Sequence, residues 1–320
     1  MDNPMNVKYT VKRAIRSLVG DARSVSILNR FRKEKNETGG SSDGHYSYSV
    51  FCRHKVKLKE KIGLSNFHTV CEFGPGDALT IGLLHLSTGS KRLLAFDGYP
   101  YFDRKKTVTS YKEAVKLLMN QTDIPNCCFP SVFPKLDDYR FPRHIDGMMV
   151  VSELNPDLIL NEINQNIDQS NILCYFAPYE MSGSIFNGTV DLITSQAVME
   201  HVKDIGAHYK FQYQLLSNGG VALHQIDLKS HGTSLLWNGH WSYSEEEYQK
   251  VMKTYTFRWI NRLSLERHIE LMKDAGFEII DVERYFRHDG IKQCELNDAF
   301  KNMTSLDLST SSATVIIRKS

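Results

Sequence analysis

Two groups of residues in this 320-residue chain have the types and spacing that chemistry needs. The first is Glu72-Phe73-Gly74-Pro75-Gly76-Asp77, in which an apolar run ends in an acid and two glycines follow at i and i+2. Glycines so spaced permit a tight turn and close approach of backbone to a ligand at a strand-to-helix junction, where doubly wound sheets bind nucleotides. The second is His224, Asp227 and His231, three ionisable residues in and just beyond an otherwise apolar segment. An imidazole titrating near neutrality serves as a general base, and a neighbouring carboxylate orients the ring or binds an acceptor. Strand alternation puts His224 and Asp227 on opposite faces, so His231, past the strand, is the freer partner. We expect His231 or His224 to act as the base and Asp227 to orient a histidine or bind the acceptor. A reading of equal weight makes His224 a hydrogen-bonded core histidine and Asp227 the cap of the next loop. The three could also ligate a divalent metal, a reading not favoured because their spacing is not diagnostic.

The glycine turn also narrows its ligand. A dinucleotide fingerprint needs a third glycine where Leu79 stands, and no Walker Lys-Ser/Thr pair follows, which excludes a P-loop. Glu72, just before the turn, would repel a phosphate. A carboxylate there suits a cationic ligand instead, and S-adenosylmethionine carries an ammonium and a sulfonium but no phosphate. The next apolar run, Arg92–Phe96, ends in Asp97, an acid placed to accept hydrogen bonds from both ribose hydroxyls. The expected donor contacts are Glu72, Phe73, Gly74, Gly76 and Asp77 around the methionine part, Asp97 with Gly98 at the ribose, Ala177 or Pro178 on the adenine side, and Gln196 nearby.

Elements that must position these residues follow from Thr69 onward, where strand-like and helix-like segments alternate as in an α/β fold with a parallel sheet. Strands are expected at Thr69–Phe73, Arg92–Phe96, Asn171–Phe176, Asp191–Thr194, Gly220–Leu228, Phe277–Val282 and Ala313–Arg318. Helices are expected at Leu79–Leu86, Tyr111–Met119, Asp157–Ile167, Ala197–Leu216 and Ser264–Ala275. The segment 98–170 is far longer than a plain crossover, whose whole unit needs roughly 30 residues. Lying beyond the carboxyl end of a strand, it is expected to cover the substrate. A second irregular segment, 231–262, holds Trp237, Trp241, Tyr243, Tyr255 and Trp259, suited to an acceptor pocket or to a helical cap packing on itself. Arg53 and His54 precede the domain and either border the site or, equally well, lie on a solvated helix face.

Residues 1–44 form a separate head and linker. Val7, Val11, Ile15, Leu18 and Val19 recur at helical spacing among cations, the pattern of a helix packed on the domain, with peripheral membrane contact through 7–35 as the secondary reading. The chain's 39 basic residues nearly match its 37 acidic ones, so charge carries no message about nucleic acid. No apolar run approaches the roughly 20 residues of a membrane span, no secretory leader is evident, and the six cysteines include no CxxC pair, so we expect a cytoplasmic protein with reduced thiols. Four Asn-x-Ser/Thr triplets, at Asn36, Asn120, Asn187 and Asn302, then carry no glycan.

Beyond the glycine turn, Asp191–Val202 (DLITSQAVMEHV) resembles the fourth-strand signature of class I S-adenosylmethionine-dependent methyltransferases, and Leu216-Ser217-Asn218-Gly219-Gly220 is similar to their turn before strand five. The resemblance spans about 45–320. It implies a Rossmann-like, doubly wound, mostly parallel seven-stranded sheet with a helical insertion after strand two, S-adenosylmethionine as methyl donor and S-adenosylhomocysteine as product. More narrowly, Glu72–Leu79, His224–His231 and Asn261-Arg262-Leu263 resemble a bacterial-type branch associated with polysaccharide and glycan synthesis. That implies O-methylation of a sugar hydroxyl in a glycan or glycolipid. Alternatives are methylation of a phenolic or other small metabolite, and a donor-binding subunit without turnover. Nucleic acid is not expected as partner, because no base-flipping signature appears. Glu200 and His201, one helical turn past Gln196, fit helix packing as well as catalysis. Acceptor identity and oligomeric state stay open.

Overall fold

The computed structural model describes residues 40–149, 156–164, 171–181, 185–253 and 259–320. The basic amphipathic stretch at 7–35 and Tyr255 lie outside them. A helix no sequence pattern announced, α1 (Gly44–Ile62), comes first, capped by the Asp43 carboxylate on the His45 and Tyr46 amides and ended by Gly63 at φ 71°. There follow β1 (Thr69–Phe73), α2 (Thr80–Ser87), β2 (Arg92–Phe96), α3 (Arg104–Met119), α4 (Pro156–Asn164), β3 (Leu173–Phe176), β4 (Val190–Gln196), α5 (Ile205–Leu215), β5 (Leu216–Asp227), α6 (Glu245–Met252), α7 (Leu265–Asp274), β6 (Phe277–Phe286), α8 (Ser305–Ser309) and β7 (Thr310–Lys319). No helix among the described residues is long and apolar enough to cross a membrane.

The seven strands form one sheet in the order β3-β2-β1-β4-β5-β7-β6. Pairing is parallel from β3 through β5, while β7 runs antiparallel to both β5 and β6. β1 is completely buried, as a central parallel strand covered on both faces must be. Alternation divides its side chains: Val70 joins the core under α1, α2 and α3, and Cys71 and Phe73 join the core under α5 and α7.

The long segment after β2 packs largely on the first of these cores. Ile124, Val132, Leu136, Phe141 and Ile145 are buried against α1 and α2. Arg53 and His54 are therefore not on a solvated face, as the sequence reading allowed, but 0% and 1% exposed. The Arg53 guanidinium donates to the carbonyls of Val132 (3.1 Å) and Pro134 (2.8 Å) and to Asn126 Oδ1 (2.9 Å), stapling the segment to α1. Where the sequence pattern runs one helix from Ala197 to Leu216, the chain instead makes a short 3₁₀ turn at Met199–His201 and begins α5 only after the Asp204 cap. The break starts at Ala197, whose φ of 56° no helix continues through. The aromatic segment divides: Tyr243 and Tyr248 pack with Val251 and Ile260 in a small cluster of their own, while Trp237 and Trp241 join the core under α5 and α7.

Candidate active site

The glycine turn lies at the point of the sheet where strand order reverses, between β2 on one side of β1 and β4 on the other. Gly74 and Gly76 have φ of 66° and 71°, which a side chain tolerates poorly. A Cβ on Gly74 would stand 2.5 Å from Val198, so the turn presses against the segment that follows β4. Gly74 N donates to Phe96 O at 2.8 Å and Gly76 N to Asp97 Oδ2 at 3.1 Å, and Tyr99 N donates to Asp97 Oδ1 at 3.2 Å. Asp97 is thus stitched across the turn by backbone amides. Burial nonetheless pushes its pKa up to about 6, against the lowering effect of those bonds. A Cβ built on Gly98 meets nothing within 4 Å, leaving space beside this carboxyl.

The remaining donor-side residues divide by what their side chains touch. Glu72 is 4% exposed and turns toward α2, where Oε2 accepts from Gly82 N at 3.0 Å. Burial first, and then the nearby Asp97 charge, push its pKa up to about 8. Glu72 is accordingly largely protonated at neutral pH, not the standing negative charge that the sequence suggested. Phe73 is in the core, stacked on Phe96 at 5.3 Å, and borders the turn through its backbone. Asp77 has both carboxylate oxygens engaged, one by the Ser41 hydroxyl (2.5 Å) and one by Lys106 Nζ (2.7 Å). Its direct role is to tie the turn to the chain before α1 and to α3. Pro178 follows β3, and Tyr179 N donates to Asp97 O at 3.3 Å, bringing that segment alongside β2. Gln196 Oε1 pairs with His54 Nε2 at 2.9 Å and its amide donates to Phe133 O at 3.2 Å, joining β4 to α1 and the long insertion.

A second polar group gathers at the carboxyl ends of β4 and β5. His231 Nε2 stands 3.7 Å from Glu200 Oε1 and 3.8 Å from Asp227 Oδ2, while His201 Nε2 stands 4.0 Å from the same Glu200 oxygen. Lys229 Nζ pairs with Asp227 at 3.0 Å. Glu200 is only 2% exposed, and neither of its carboxyl oxygens is in good hydrogen-bond geometry. Burial, reinforced by the Asp227 charge, raises its pKa well above the carboxylate range. Asn261 holds the turn that carries it, donating to the carbonyls of Met199 (2.8 Å) and Val202 (3.2 Å). His231 has a left-handed backbone, φ 47°, the kind of strain that clusters at functional sites.

Of the expected catalytic residues, Asp227 and His231 are together and His224 is apart. His224 is fully buried, its Nδ1 2.8 Å from Ser195 Oγ, and burial lowers its pKa to about 3. It stays neutral at any ordinary pH and has the geometry of a core histidine. The sequence reading missed Tyr46, whose hydroxyl bonds Gln196 and lies near Glu200 and Asp227, its pKa pushed up to about 12 chiefly by burial. No periodic signal marks Tyr46, since α1 is buried without a break from Ser47 to Val56.

The geometry fits an adenosyl cation on the donor side: two positive-φ glycines, an amide-bound carboxyl at the end of β2 and open space at Gly98. The family model of the methyltransferase domain matches residues 27–282. Among solved structures, the chain is similar to a S-adenosylmethionine-dependent methyltransferase from Methanosarcina mazei (12% identity, 82% of this chain and 96% of that one, TM-score 0.44). Similar too are one from Mesorhizobium loti (12%, 79% and 91%, TM-score 0.40) and Haemonchus contortus phosphoethanolamine N-methyltransferase 2 in complex with S-adenosyl-L-methionine (12%, 86% and 56%, TM-score 0.42). No curated protein sequence matches the chain. With four fifths of its length under that family model, the chain belongs to the methyltransferase-domain family and is a methyltransferase.

Proposed function

We propose that the enzyme transfers a methyl group to a hydroxyl oxygen, and that the acceptor is a sugar within a glycan or glycolipid. The observation that carries this reading is the polar cluster of Glu200, Asp227 and His231, which adjoins the glycine turn through Val198. A hydroxyl needs a proton acceptor and hydrogen-bonding neighbours. A phenol would call for an apolar, aromatic wall, and Trp237, Trp241, Tyr243 and Tyr248 are turned into the core instead.

When bound, S-adenosylmethionine supplies an electrophilic methyl on a sulfonium. Asp97, kept in place by the Gly76 amide, would hold the ribose end, and the Gly74 turn, packed close to Val198, would present its backbone to the methionine part. The acceptor oxygen gains the methyl as the C–S electron pair stays on sulfur, and the hydroxyl proton passes to the Asp227–His231 pair. Alignment of the reactants is the larger contribution, and the proton acceptor adds roughly 10²–10⁴-fold.

The test is transfer of a labelled methyl group onto panels of oligosaccharides, nucleotide sugars, glycolipids and phenols. Label appearing as a base-stable ether on a sugar is the expected result. Label on phenols alone would remove the sugar reading.

A further inference from the structure

We propose that Glu200, His201 and His231 bind one divalent transition ion, of the manganese class, positioned to hold the acceptor oxygen. The ion site stands on its own geometry, and its role toward the acceptor rests on the O-methylation reading above. Each residue brings one ligand atom, and the three atoms lie within 4.8 Å of one another. Ligands about 2.1 Å from a shared ion stand roughly 3–4 Å apart. The separations of 3.7 Å and 4.0 Å from Glu200 Oε1 to the two imidazoles are of that size.

Three features prepare the group for a cation. Glu200 is buried with neither oxygen in good hydrogen-bond geometry, and the nearby amides of Glu200 and Asp227 offset burial only in part, a costly state for a carboxyl unless a proton or a metal ion occupies it. His201 Nδ1 lies 2.7 Å from the Trp259 carbonyl, which fixes the hydrogen on that nitrogen and leaves Nε2 with its lone pair toward Glu200. His231, on a left-handed backbone, brings its Nε2 to 3.7 Å from the same oxygen and 3.4 Å from the Asp227 carbonyl. Three protein ligands leave coordination positions for a substrate oxygen. With the ion present His231 is a ligand, and Asp227, whose carboxylate is 3.8 Å from that ring, is the group that takes the hydroxyl proton.

The experiment uses the full chain without an affinity tag, dialysed against EDTA and titrated with MnCl₂. Manganese is chosen because it has little affinity for the exposed thiols of Cys127, Cys128 and Cys294. Loss of the free Mn²⁺ electron paramagnetic resonance signal should show one site per chain. His201→Ala, at a side chain 36% exposed where folding is not at stake, should weaken it about tenfold or more, and Glu200→Gln should abolish it. Methyl transfer should stop in EDTA and return with Mn²⁺. Absence of a stoichiometric site, with transfer unchanged in EDTA, overturns the ion and leaves the methyltransferase reading with His231 as base. A stoichiometric site in a protein that methylates no hydroxyl keeps the ion and overturns the acceptor assignment.

Discussion

The donor and acceptor sides of this site treat buried carboxyls in opposite ways. Glu72 and Asp97 each accept backbone N–H bonds, from Gly82 in the first case and from Gly76 and Tyr99 in the second. Glu200, equally buried, has neither oxygen in good hydrogen-bond geometry, its own amide and that of Asp227 only partly offsetting burial, and faces two imidazoles. Backbone amides hold a carboxyl in one place for binding. A carboxyl left for side chains or an ion is available to a proton or a metal, so its environment changes during a reaction. The first arrangement suits recognition and the second suits chemistry.

That division predicts which substitution affects which constant. His231→Ala should lower kcat by about 10²–10⁴-fold while donor affinity measured by calorimetry stays within a few-fold. His224→Gln is its control. Removing the imidazole leaves Ser195 Oγ without its 2.8 Å partner, so roughly 1–3 kcal/mol of stability should go, with kcat nearly unchanged. A His224 variant that folds and loses turnover like His231→Ala would erase the distinction between the two histidines.

On the donor side, Asp97→Asn keeps the side chain's shape but replaces one acceptor oxygen with an amide. A hydrogen bond to a charged group is worth about 1.5–3 kcal/mol, so donor Kd should rise on the order of 10–100-fold. The melting temperature should change little. If Kd is unaltered, Asp97 orders the turn and does not hold the ribose.

The same two carboxyls set a pH dependence. Burial raises Asp97 from 3.8 to about 6 and Glu72 from 4.5 to about 8. The folded protein therefore binds these protons more tightly than the unfolded chain does. Stability from this source is complete below about pH 4 and is lost as pH rises through 6 and 8. A cationic donor favours the ionised carboxyls, so the rise in melting temperature it causes should grow between pH 5.5 and 7.5. A donor-induced shift that is flat across this range would mean that neither carboxyl changes its proton on binding.

The sheet was readable because its central strands are short apolar runs ended by glycine turns or acids, as at Thr69–Phe73 and Arg92–Phe96, whose limits the structure reproduces. The donor turn was readable for the same reason: a positive-φ glycine pair has no substitute. The acceptor side was only half legible. Spacing cannot show that β5 buries His224 beside Ser195, nor that Ala197 breaks a helix-like stretch and swings Glu200 inward. α1 was missed because it is buried without a break from Ser47 to Val56, Arg53, His54 and Lys55 included, and a stretch enclosed on every side has no amphipathic stripe to read.

The smallest effect is expected at Asp77, where sequence and structure differ most on the donor side. Its carboxylate is bound by Ser41 and by Lys106, whose side chain is 46% exposed. Exposed ion pairs contribute little, and the Ser41 hydroxyl keeps its hold when the lysine is removed. Lys106→Ala should therefore change donor Kd by less than about threefold. Asp77→Asn, which disturbs both bonds, should act on the melting temperature before it acts on Kd. The reverse order, with donor affinity falling at unchanged stability, would return Asp77 to the donor's contact shell and make amide-held carboxyls only part of how that side recognises its ligand.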